Sequence, residues 1–117
     1  MVHGQLKATV KDWLLWACGK RNRVRIEGDS MAPTLRPEDH VLIDPAGYSR
    51  RPPRVGDVVL TKHPFQSDVL MVKRIASIDA TGRLFVIGDN PDESSDSRSF
   101  GSLRTDAVIG KVVGKVP

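Results

Sequence analysis

VLMVKRIASID, Val69 to Asp79, is the stretch on which the reading of the whole chain turns. It is rich in Val and Ile, and turn formers bound it on both sides, Ser67-Asp68 before and Thr81-Gly82 after. That is the texture of a β-strand. Alternation in a strand puts Lys73 on the same face as Met71 and Ile75 and turns Arg74 the other way. A lysine on an apolar face has two readings. In the commoner one its head reaches water and carries no chemistry. In the other, burial destabilises the ammonium and lowers its pKa toward neutrality, which makes the amine a usable base.

The same texture recurs on either side. Arg23–Glu27, His40–Asp44, Asp57–Lys62, Leu84–Ile87 and Ala107–Val116 are short, apolar and separated by clusters such as PAGYSRRPPRVGD (45–57) and GDNPDESSDS (88–97). Six short strands with turn signals between them predict a mainly β domain, barrel-like or built as two packed sheets. Residues 5–19 differ. Leu6, Val10, Trp13, Leu14 and Ala17 recur at helical spacing and Gly19 supplies a stop, predicting a short amphipathic helix. The expected organisation is an N-terminal helical and basic segment over 1–22 and a β-domain over 23–117.

At 117 residues the chain is expected to be one domain. It is long enough to bury roughly two-thirds of its unfolded surface without a metal or disulfide. The single cysteine, Cys18, rules out an internal bridge. The net charge is +4, concentrated in KRNRVR (20–25) and RRPPR (50–54). Those runs read as solvated faces, or as a surface for anionic lipid. No helix-turn-helix, zinc-finger or RNA-binding signature accompanies them, so nucleic acid is not an expected partner. The apolar run Trp13–Cys18 is too short to span a membrane.

The chemistry begins at GDSMAPTL, Gly28 to Leu35, where Ser30 lies in a turn just after the first strand. A serine hydroxyl attacks only if a base takes its proton. No HExxH, GxSxG, phosphate-binding loop or GxGxxG is present, and no histidine lies close to Ser30 in sequence. Lys73 is the base that the pattern offers. A third segment, GDNPDESSDSRSFG (88–101), places Ser94, Asp96 and Arg98 at alternate positions. That order suits a hydroxyl that positions an amine and an ion pair that pins the loop.

Together GDSMAPTL, MVKRI (71–75) and GDNPDESSDSRSFG, with RVGDVVL (54–60) between the first two, resemble the signal peptidase I family, serine peptidases with a Ser-Lys dyad. The resemblance covers about residues 24–114. It implies the compact catalytic β-domain of that family, with Ser30 as nucleophile and Lys73 as general base. Ser94 would orient the lysine amine, and Asp96 with Arg98 would form the supporting salt bridge. Met31 and Pro33 would wall the substrate beside the nucleophile, and the Ser30 backbone N–H would be one oxyanion donor. No cofactor or metal is implied. The substrate would be an extended peptide of a precursor protein. Some relatives carry a serine where this chain has Gly28, so the second oxyanion donor stays open, and Pro91 and Glu93 replace residues often seen as Arg and Asn.

LTKHPFQSDVLMVKRI (60–75), GDNP and DSRSFG also resemble the short nickel-type superoxide dismutase maturation proteases. That likeness implies a cytoplasmic endopeptidase removing an N-terminal extension from a nickel superoxide dismutase precursor. The alternative is a signal-peptidase-like enzyme that processes exported precursors while peripheral to a membrane, touching it through residues 5–25. More remote are a self-cleaving LexA-type peptidase and a non-catalytic peptide-binding β-module.

Overall fold

The computed structural model describes residues 19, 21–49, 51–66 and 68–116; the helix expected over 5–19 lies outside them save for Gly19. Six strands form: β1 Asn22–Arg25, β2 His40–Asp44, β3 Val58–Lys62, β4 Leu70–Ile78, β5 Leu84–Ile87 and β6 Val108–Val116. All six expected strands are present, β2 and β5 with the expected bounds and the other four with ends displaced by one or two residues. Asp57 stays outside β3 and ties down the preceding loop, accepting the Tyr48 hydroxyl at 2.7 Å and the Arg54 N–H at 3.0 Å. Ala107 closes a 3-10 turn, Thr105–Ala107, before β6 begins.

The mainly β reading holds, and the arrangement is a single antiparallel sheet in the order β1-β2-β6-β3-β4-β5. Among the described residues it is neither a closed barrel nor two sheets, because β1 and β5 are its two edges. Register shifts fall between Leu42 and Ile43, Leu60 and Thr61, and Ile75 and Ser77. Such bulges bend a strand and deepen its twist.

Alternation in β3 divides the core. Val58 and Leu60 join Val41, Ile43 and Val112 in one apolar cluster, and Val59 joins Ile75, Leu84, Val86 and Leu103 in the other. Each fully buried aliphatic side chain contributes about 1.5–3 kcal/mol. Ile26, Met31 and Leu35 complete the first cluster from outside the strands. They bracket the turn that carries Ser30, so hydrophobic packing anchors that turn at both ends. Phe100 packs on the second cluster. It ends a single helical turn, α1, Ser97–Phe100, inside the polar segment expected as loop. Asp96 caps α1, accepting the Arg98 N–H at 3.1 Å. Among the described residues no helix is long and apolar enough to cross a membrane.

Candidate active site

The serine turn grows directly out of β1. Pairing continues one residue past the strand, with Ile26 N–H donating to the Asp39 carbonyl at 2.7 Å and Glu38 N–H to the Ile26 carbonyl at 2.8 Å. Gly28 then adopts a φ of +75°, which favours glycine. A Cβ there would meet nothing within 4 Å, so backbone conformation rather than space calls for glycine. The turn closes through Ala32 N–H to the Asp29 carbonyl at 3.1 Å and Leu35 N–H to the Met31 carbonyl at 2.9 Å. Asn90 clamps it from the third segment, its backbone N–H on the Ser30 carbonyl (2.9 Å) and its side-chain amide on the Asp29 carbonyl (3.1 Å). Among the described residues, the Ser30 N–H donates to no protein acceptor.

Lys73 lies opposite Val59 in the β3–β4 ladder and is 4% exposed. The solvated reading of this lysine is therefore set aside. Burial pushes its amine below the ordinary lysine range; the Asp96 carboxylate opposes that shift and the Arg98 guanidinium adds to it. The amine donates to Ser94 Oγ at 3.1 Å, and the Ser94 hydroxyl donates to Asp96 Oδ2 at 2.7 Å. Asp96 is fully buried. It also accepts Gly88 N–H at 2.9 Å and the Arg98 side chain at 2.9 and 2.6 Å. Burial alone would raise the Asp96 carboxyl, but Arg98, the Gly88 N–H and the Ser94 hydroxyl outweigh it and keep the group ionised far below the usual carboxylate range.

Ser30 and Lys73 line one open groove of about 490 Å³, with Ile26, Met31, Leu60 and Val72 as apolar walls. No hydrogen bond joins the serine hydroxyl to the amine among the described residues. Catalytic hydrogen bonds in substrate-free enzymes are commonly long and tighten in the complex. Met31 is buried beneath the groove, whereas Pro33 is exposed and stands outside its lining.

Three residues of this region were not singled out by sequence reasoning. Arg74 does turn away from Lys73, yet it is buried. It grips Asp89 through both carboxylate oxygens at 2.9 and 2.8 Å and the Gly56 carbonyl at 2.8 Å. Asp89 also accepts the Thr34 hydroxyl at 2.6 Å. The pair thus ties the serine turn, β4 and the Gly88 segment together. An arginine inside an apolar strand was the available signal, because such a charge is retained only when paired. Arg74→Lys is expected to cost about 1–2 kcal/mol, since an ammonium cannot reproduce the bidentate fork. Urea unfolding measures this, and an unchanged midpoint would contradict it.

The arrangement has the parts of an acyl-transfer site: a hydroxyl, an amine biased toward its neutral form, and a serine N–H without a protein acceptor among the described residues. Comparison with known proteins gives the family. The family model described as signal peptidase, peptidase S26, matches residues 19–80 and 79–116.

The chain belongs to the peptidase S26 family.

It is 32% identical over 108 residues to mitochondrial inner membrane protease subunit 1 of Schizosaccharomyces pombe, covering 76% of this chain and 69% of that one. The protein of the same name from Xenopus tropicalis is 27% identical over 108 residues, with 76% and 65% covered. The probable signal peptidase I-1 of Synechocystis sp. (strain ATCC 27184 / PCC 6803 / Kazusa) is 23% identical over 128 residues, with 73% and 65% covered. The chain therefore spans just under two thirds of the latter two. All three segments of the candidate site fall within the residues that the peptidase S26 model matches.

Proposed function

We propose that this peptidase S26 member is a Ser-Lys endopeptidase that removes an N-terminal extension from a precursor protein. The observation that carries the reading is the buried Lys73 amine, held by Ser94 in the groove that Ser30 also lines. Ser30 Oγ attacks the peptide carbonyl while neutral Lys73 takes its proton. The Ser30 N–H donates to the oxyanion of the tetrahedral intermediate. As the C–N bond breaks, the Lys73 ammonium returns its proton to the departing amine. Water, deprotonated by the same amine, then hydrolyses the acyl-enzyme.

The substrate we assign is a nickel superoxide dismutase precursor, on the likeness of LTKHPFQSDVLMVKRI, GDNP and DSRSFG to that subgroup of maturation proteases. Incubation of that precursor with the protein, followed by intact-mass analysis, tests both parts. The expected result is a single N-terminal cut, absent with Ser30→Ala and with Lys73→Ala. No cut by folded wild type would sink the maturase assignment.

One observation favours a second reading, an enzyme that processes exported precursors at a membrane surface. Phe65, Leu70 and Val69 are 77%, 53% and 37% exposed, and Leu70 and Val69 lie on the lip of the groove. In the maturase reading the enzyme acts in the cytoplasm; in this one apolar side chains beside the groove enter lipid. Co-sedimentation of the full chain with anionic vesicles separates the two.

A further inference from the structure

Backbone and charge in the groove together describe its ligand. Among the described residues β1 is the last strand of the sheet, pairing with β2 alone. The Ile26 backbone groups are taken by Glu38 and Asp39, so alternation turns those of Arg25 and Glu27 toward the groove. On the other wall, β5 pairs with β4 only from Arg74 onward. The edge of Leu70–Lys73 on that side therefore has no strand beside it among the described residues. Two open edges across one groove are the requirement for an extended peptide added as a strand.

Four ionisable side chains line the same groove: Arg25, Glu27, Asp68 and Lys73. Arg25 is engaged by Glu38 at 2.9 Å, and burial biases Lys73 toward its neutral form. Glu27 and Asp68 are exposed, and among the described residues neither has an ion-pair or hydrogen-bond partner. On a chain of net charge +4, the groove is thus left with two unanswered carboxylates.

We propose that Glu27 and Asp68 are specificity-determining residues that favour precursors carrying a lysine or arginine within about five residues of the cleaved bond. This deepens the peptidase reading and rests on it. Asp68 precedes Lys73 by five positions, or at most about 17 Å of extended chain, which sets that distance. Complementary charges at an exposed rim act modestly and are screened by salt.

The test uses matched peptides spanning the processing site of the precursor named above, with Lys, Gln or Glu placed in turn at each of the flanking positions. Wild type is expected to favour the best Lys peptide over its Gln counterpart by about 3- to 10-fold in kcat/KM, carried by KM. That ratio should fall toward one in the Glu27→Gln, Asp68→Asn double variant and in high salt. Equal rates for Lys, Gln and Glu peptides, or a preference that survives the double variant, would overturn the charge assignment while the peptidase reading stands. If folded wild type cleaves none of the peptides, and the Ser30→Ala variant binds none by fluorescence anisotropy, this precursor is not the substrate, and the charge assignment falls with the maturase reading while family membership stands.

Discussion

Gly88→Ala is expected to lower kcat/KM by about 100-fold or more while leaving the sheet intact, because small misplacements of catalytic groups carry penalties of that size. A Cβ at Gly88 would come to 2.2 Å from Ser94 Oγ, 2.6 Å from Ser94 Cβ and 2.5 Å from the Ser30 carbonyl oxygen. No real Cβ sits that close to such atoms, so something must move. What moves is the proposed machinery itself, because Ser94 holds the Lys73 amine and the Ser30 carbonyl belongs to the turn of the proposed nucleophile. The Gly88 N–H cannot simply retreat, since it donates to buried Asp96. Relief therefore has to come through Ser94 or Ser30. The measurement is steady-state cleavage alongside far-UV circular dichroism and a thermal melt. Full activity in a folded Gly88→Ala protein would mean that Ser94 and the Ser30 turn do not need their observed placement.

That crowding explains which parts of the site were legible in the sequence. Strands announced themselves because β-branched residues and turn formers act locally, so each of the six was found to within a residue or two. Lys73 was visible as a cation among apolar neighbours, and Ser94, Asp96 and Arg98 as an ordered pattern in a segment otherwise full of turn formers. Arg74 and Asp89 were harder. The alternation that rightly turned Arg74 away from Lys73 did not say what lay on the other side. Its partner lies fifteen positions on, at a loop whose path depends on the whole sheet. Sequence reasoning weighed a barrel or two packed sheets and did not offer the single sheet observed, because β6 enters between β2 and β3, and no local signal encodes insertion of the last strand into the middle. Pro33 was assigned to the substrate wall through the family resemblance, yet the turn leaves it exposed and outside the groove lining while Met31 goes under it.

Lys73→Met should separate the chemistry of this residue from its cost to the fold. Methionine keeps an unbranched chain of similar length and removes the charge. Cleavage is expected to fall on the order of 10³-fold or more, as loss of a general base does. Stability should move the other way. The folded pKa of Lys73 is lowered, first by burial. Between that value and the unfolded value of about 10.4 the unfolded chain holds a proton that the native state does not, so wild-type stability rises with pH through that window. Below the window the destabilisation by Lys73 is complete; above it the effect vanishes. The Met variant should therefore melt higher than wild type at neutral pH, with a gap that closes as pH approaches about 10.4. Catalysis reports the same pKa from the other side, as an acid limb in kcat/KM where the amine takes up its proton. Asp96 opposes the lowering, so Asp96→Asn should move that limb to lower pH even as it weakens the Ser94 contact; Arg98 promotes the lowering, so Arg98→Met should move the limb to higher pH. Limbs displaced in the same direction, or a Met variant with undiminished cleavage, would show that the titrating base is some other group.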